Sequence, residues 1–329
     1  MGLLKQLHSI LAPETPLGTF YTSSVPLFRT HRILPLVSEE AASSDEIPPE
    51  TKQAARDVLY RSKSEHIIYI NTLNRVIEVL DRERIEFILL KGASLWKYYT
   101  KPYLRQQDDI DILVSRENLP KVLQAVTKEW GTGRTGHGEF HTSCRLGNEN
   151  APDLEVHTQT GPPYKNSIPA NIIFSNTETA DITGMEVQVL RFPLLFRHVC
   201  FHAANHCILT RILWLYDLKL LAESGEDLSF LGQLRGISRR SCTASLHYAH
   251  LIFTSPSLAE VCQLVPVSRL FTFLISKIVP PSRLLDNPVL TSSLRNALYN
   301  LFLIQNPMAV ARAVHAKVFR CQRTEVRSQ

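Results

Sequence analysis

The densest chemistry in the chain lies in the run RQQDDIDILV, residues 105–114, where Asp109 and Asp111 alternate with aliphatic side chains. That alternation is the period of a β-strand with one polar face, and on a strand the two carboxylates share a face with Cα atoms ~7 Å apart. Two carboxylates held together away from water repel each other, so the pair is either a solvated strand face or a cation site. Mg²⁺, or Mn²⁺ in its place, is the kind of cation that such oxygen donors suit. By the same alternation Asp108 points away from the pair and is left out of it.

Further residues give this pair a context. Gly92 lies 17 residues before Asp109, in Leu90-Lys91-Gly92-Ala93-Ser94. A strand end that turns through glycine into a helix offers backbone N–H groups to a phosphate, with the Lys91 point charge beside them and the Ser94 hydroxyl close by. Glu155, in the alternating run Leu154-Glu155-Val156-His157, can be a third carboxylate for two metal ions ~3.5–4 Å apart. Asp153 takes that place if the register shifts by one pair. Arg105 either neutralises phosphate charge or pairs with Asp108. His157, two residues beyond Glu155, can orient a carboxylate, serve as a base or be purely structural. His202 and His206 are spaced i, i+4, and Asp217 returns to nearly the same helix face. That stripe reads as a polar helix lining a cleft, as core, or as a zinc site. The sequence H-A-A-N-H lacks the glutamate that zinc peptidase chemistry requires.

Periodicity assigns elements to these residues. Residues 1–49 hold six prolines and read as an irregular lead-in with short helical pieces. Residues 50–84 carry apolar side chains at helical spacing and predict one long or once-broken helix. IEFILLKG (85–92) predicts a core strand, followed by a short helix that Pro102 ends. DIDILV (109–114) and LEVHTQT (154–160) predict strands with a helix at 118–130 between them, and GTGRTGHG (131–138) predicts a loop. Although Gly131, Gly133 and Gly136 match a dinucleotide fingerprint literally, they follow a helix where that motif needs a strand. TETADITGMEVQVL is a last extended segment, after which the pattern is helical. The expected organisation is α+β: a Pro-rich segment at 1–49, a small mixed-sheet core at 50–190, a helical domain at 191–320 and a basic tail at 321–329.

The chain has 329 residues with a formal charge of +5, and residues 311–329 hold five basic residues against one acidic, four of those five charges. The near-neutral remainder speaks against a nucleic-acid partner. Six scattered cysteines and the lack of an N-terminal signal or a long apolar run lead us to expect a cytoplasmic protein with no membrane span.

The ordered set LLKG, R-x-x-D-D-I-D-I-L-V, L-E-V-H, then H-x-x-x-H with W-L-x-D, resembles an uncharacterised bacterial nucleotidyltransferase family of the polymerase-beta-like superfamily, over roughly residues 50–225. The resemblance implies a Mg²⁺-dependent enzyme that moves NMP from an NTP, with ATP expected, to an unknown small-molecule, peptide or protein acceptor, releasing pyrophosphate. Asp109, Asp111 and Glu155 are then the catalytic and metal-binding acids. Lys91, Gly92, Ser94 and Arg105 bind the nucleotide, and His157, His202, His206 and Asp217 face the acceptor cleft. Two positions depart from the pattern: Ala93 follows the turn glycine, and Thr158 stands where the family carries tryptophan. The alternative is a catalytically silent nucleotide-binding or protein-interaction module on the same scaffold.

Overall fold

The computed structural model describes residues 2–131, 134–137, 141–147, 150–161, 166–206, 211–265 and 269–278. The basic tail and the end of the expected helical domain lie outside these residues, as does Gly133.

The first 49 residues are more helical than the irregular lead-in with short helical pieces expected of them. They form α1 (Leu3–Leu11), α2 (Leu17–Thr30) and α3 (Leu34–Ser43). Most of the prolines sit where a helix tolerates them. Pro16 and Pro48 precede helices, and Pro35 and Pro49 lie in first turns, where the missing N–H has no intrahelical acceptor to lose. Only Pro26 stands inside a helix. α4 (Pro49–Arg82) then runs 34 residues, ~50 Å, without a break.

The remaining elements are β1 (Ile88–Leu89), β2 (Asp109–Leu113), α5 (Leu119–Trp130), β3 (Arg134–His137), β4 (His141–Cys144), β5 (Asp153–His157), α6 (Ala170–Phe174), β6 (Thr177–Ile182), β7 (Met185–Leu190), α7 (Phe192–Asn205), α8 (Ile212–Ala222), α9 (Gly236–Ile252), α10 (Pro256–Leu264) and α11 (Arg269–Ile278). The seven strands form one mixed sheet in the order β3-β4-β5-β2-β1-β7-β6. β2/β5 and β1/β7 are parallel, and the other neighbours are antiparallel. Two expectations change here. Of residues 85–92 only Ile88 and Leu89 are strand, and residues 134–137, read as loop, pair with β4 as an edge strand.

Alternation along the strands divides the core. Leu89, Ile110, Ile112, Leu154 and Val156 face one way and pack in a cluster with Leu73, Val76, Ile77 and Leu80 of α4 and Val122 of α5. The opposite face carries Asp109, Asp111, Glu155 and His157, with Leu113 at its edge. Leu113 joins a second cluster that includes Leu4, Phe28 and Val37 of the N-terminal helices and Phe196, Leu215 and Tyr248 of the C-terminal ones. The N-terminal helices therefore share a core with α7–α9. Backbone contacts tie them further: Leu213 N–H donates to the His31 carbonyl, 3.3 Å. The change from strand to helix falls between Leu190 and Phe192.

Candidate active site

Parallel pairing of β2 and β5 sets Asp111 opposite Glu155, Asp109 opposite Asp153 and Leu113 opposite His157. Neighbouring strands lie ~4.8 Å apart, so Asp111 and Glu155 are lateral neighbours on the polar face. β1 brings Lys91 to them, with Leu90 N–H donating to the Asp111 carbonyl at 3.1 Å. Lys91 Nζ lies 2.7 Å from Asp111 Oδ2 and 4.0 Å from Asp109 Oδ1. His157 Nε2 lies 3.0 Å from Asp111 Oδ1 and 3.4 Å from Glu155 Oε2. On β4, His141 faces His157 in register and reaches within 3.9 Å of Glu155 Oε1.

The carboxylates sit at graded depth, with side-chain exposures of 1% for Asp111, 24% for Glu155 and 34% for Asp109. Burial opposes ionisation of Asp111, but Lys91 and His157 override it and hold the carboxyl well below its ordinary range. Glu155 is likewise lowered, its burial outweighed chiefly by the His157 hydrogen bond. Burial opposes the charged forms of His157 and Lys91 as well, yet the carboxylates raise both. Asp109 goes the other way: burial first, then the Asp111 charge, push its carboxyl up to about 6. It is the acid of the group whose charge is least compensated.

Gly92 turns the chain above this group. Its φ of +72° is the left-handed conformation that glycine adopts without a Cβ penalty, and a Cβ there would stand 2.7 Å from Gln107 Oε1. Both polar ends of the Gln107 amide are buried without a hydrogen-bond partner among the described residues, and the side chain lines the same cleft. From Gly92 the chain enters a 3₁₀ helix, Gly92–Tyr98.

The opposite wall is helical. His198 and His202 project from α7, and His206 follows at its C-terminal cap. The His202 and His206 ring centroids are 4.6 Å apart, and Trp214 of α8 backs them at 4.6 and 5.4 Å. The cleft between the walls encloses about 260 Å³.

A family model described as uncharacterised nucleotidyltransferase matches residues 23–254. The chain belongs to that family. No curated protein matches it at significance. Among solved structures, the antibiotic-resistance factor ANT(2'')-Ia is similar at 12% identity and TM-score 0.38, over 47% of this chain and 83% of that one. The lincosamide antibiotic adenylyltransferase LnuA is similar at 15% and 0.32, over 46% and 94%. An antigenic nucleotidyltransferase-like protein from Paracoccidioides brasiliensis is similar at 13% and 0.38, over 61% and 92%.

In this chain Lys91, Gly92, Arg105, Asp109, Asp111, Glu155, His157, His202 and His206 all line one cleft. Two expected site residues do not. Ser94 is buried, and its hydroxyl donates to the Leu90 carbonyl at 2.8 Å, a bond back across the Gly92 turn that occupies its proton. Asp217 is buried beneath the cleft, where it accepts from Arg105 Nε at 3.0 Å, Arg105 Nη2 at 2.9 Å and the Tyr99 hydroxyl at 2.6 Å. The Arg105 guanidinium is thereby committed to Asp217, and Asp108 pairs with Arg32 and Arg211 instead. Among the described residues, the group with ligand atoms within 4.8 Å of one another is Asp111, Glu155 and His157. Asp109 borders that group from the same strand face, while His202 and His206 belong to no such group. Gln107, His141 and His198 were not singled out from sequence, and Trp214 entered only as the tryptophan of the W-L-x-D segment. Of these, His198 had a usable signal, since it extends the His202–His206 spacing back by one turn.

Proposed function

We propose that this chain transfers a nucleoside monophosphate from an NTP, with ATP the expected donor, to a small-molecule, peptide or protein acceptor. The reading rests on Asp111 standing opposite Glu155 in the β2/β5 ladder, with Asp109 on the same face and the Lys91–Gly92 turn above. The donor set fits a hard divalent cation: two carboxylates of low proton affinity and a third carboxylate at the rim. Asp109, Asp111 and Glu155 would hold Mg²⁺ or Mn²⁺, which when bound supplies charge stabilisation to a triphosphate and its leaving group.

The chain's own groups account for the rest of the reaction. The Gly92 turn gives the phosphates close access to backbone, and Lys91 supplies a positive charge from inside the cleft. The unpartnered Gln107 amide offers both a donor and an acceptor to the nucleotide. An acceptor oxygen bonds to the α-phosphorus as the bond to the bridging oxygen breaks, and pyrophosphate leaves with that electron pair. The acceptor proton passes to the Glu155 carboxylate, which His157 orients at 3.4 Å.

One observation favours the silent module. Lys91 and His157 already balance Asp111 and Glu155 without any metal. Calorimetry with ATP separates the two, because a silent module binds ATP equally with and without Mg²⁺. The direct test incubates the protein with Mg²⁺, cell lysate and ATP labelled at the α- or the γ-phosphate. Transfer of the α label alone is expected, and transfer of the γ label would make the protein a kinase.

A further inference from the structure

The helical wall holds polar groups that the transfer chemistry above does not use. His198 lines the cleft and is 3% exposed, and neither of its ring nitrogens has a hydrogen-bond partner among the described residues. Leaving a buried polar atom unpaired is costly, so such a ring facing a cleft is a group held ready for a ligand. His202 and His206 continue the wall outward at one-turn intervals, half-buried and then exposed. Trp214 fixes them from behind, with the Arg211 guanidinium over its ring at 5.5 Å.

The charges around this wall restrict what it can take. An ammonium-rich acceptor needs free carboxylates at its own wall; the one under-compensated acid of the cleft, Asp109, lies on the sheet face with the other site acids, and the described residues of the helical wall bring no carboxylate into the cleft. Asp111 and Glu155 are matched by Lys91 and His157, Asp108 by Arg32 and Arg211, and Asp217 by Arg105 and Tyr99. A strongly anionic acceptor would instead meet the carboxylates across a narrow cleft. Burial keeps the imidazole of His198 uncharged, its pKa pushed down to about 3, and lowers that of His202 as well. A neutral imidazole offers one donor and one acceptor, which matches a hydroxyl group.

We propose that the His198–His202–His206 face is the acceptor subsite and that it takes an uncharged, hydroxyl-bearing ring, a glycoside, in preference to an amino sugar or a uronic acid. The proposal rests on the transfer reading for its role and on the wall itself for its chemistry. The glycoside hydroxyl is then the oxygen that attacks the α-phosphorus, with the bonds made and broken as described above.

The test uses the full chain with ¹⁵N-labelled histidine and three matched probes: methyl glucoside, glucosamine and glucuronate. Methyl glucoside should shift the ring resonances of His198 and His202 and bind more tightly than either charged sugar. His198→Phe should weaken that binding about five- to tenfold, the loss of one or two hydrogen bonds, while His198→Gln retains most of it. If His198→Phe does not fold, His202→Leu at the half-buried position replaces it, with the same loss expected. The proposal is overturned if methyl glucoside shifts neither resonance, if either charged sugar binds more tightly, or if a folded variant without the imidazole binds as the wild type does. Calorimetry of the wild type with ATP and Mg²⁺ keeps the two readings apart. Donor binding without glucoside binding removes only the subsite, whereas glucoside binding without metal-dependent donor binding removes only the transfer reading.

Discussion

Replacing Asp109 with asparagine should stabilise the metal-free protein at neutral pH while removing its activity. Asp109 is buried beside Asp111, and the same environment that raises its carboxyl from 3.8 to about 6 works against the charged form. At ~1.4 kcal/mol per factor of ten that displacement corresponds to ~3 kcal/mol, and screening at a side chain one-third exposed reduces it to ~1–2 kcal/mol. The sign follows from linkage. A carboxyl whose folded pKa lies above its unfolded one costs stability wherever both states are ionised, above about pH 6. The cost fades as the pH falls, and it is gone below the unfolded value, ~4. Asparagine is the neutral near-isostere, so Asp109→Asn should raise the melting temperature at pH 7 by ~2–4 °C, with the gain shrinking between pH 6 and pH 4. Thermal melts of both proteins in chelator across that range measure it. A variant less stable than wild type at pH 7, or a gain that persists unchanged at pH 4, refutes the account of Asp109 as an uncompensated site charge.

Three further perturbations probe the surroundings. Lys91→Met strips Asp111 of its 2.7 Å partner and should cost ~2–4 kcal/mol at pH 7. That deficit should narrow on acidification as Asp111 protonates, which denaturant unfolding at two pH values will show. Arg105→Ala leaves the Asp217 charge buried with only Tyr99 to serve it, and should cost ~3–5 kcal/mol by the same assay, whereas Arg105→Met with Asp217→Leu should recover much of that loss. Gly92→Ala must hold φ at +72° and move Gln107 Oε1. It should cost ~1–3 kcal/mol in a thermal melt and weaken ATP binding, with an unchanged melt counting against the close approach.

The sheet at the site was legible because β2 and β5 alternate acid with aliphatic, which settles both the element and the face of each carboxylate. The pairing of Asp111 with Glu155 was not, since nothing local says which strands are neighbours or in what register. The N-terminal prolines misled by number. Position decides their effect, and most occupy helix starts, where no backbone bond is lost. Residues 134–137, inside the glycine-rich run 131–138 read as loop, are strand because β4 supplies the ladder, a tertiary effect with no local trace. Arg105 and Asp217 lie 112 residues apart in sequence and meet only once α8 docks on the segment before β2. Ser94 matched a hydroxyl expected near a phosphate, but a 3₁₀ turn places its Oγ over the Leu90 carbonyl.

The central claim is that Asp111 belongs to a metal-dependent transfer site, and Asp111→Asn tests it most directly. Transfer from α-labelled ATP to an acceptor in lysate should require Mg²⁺ in the wild type and fall at least ~10³-fold in the variant, on the scale of removing a principal electrostatic group from an active site. The melt of the variant should stay cooperative. Transfer that survives in Asp111→Asn, or that proceeds in the wild type with chelator present, contradicts the account.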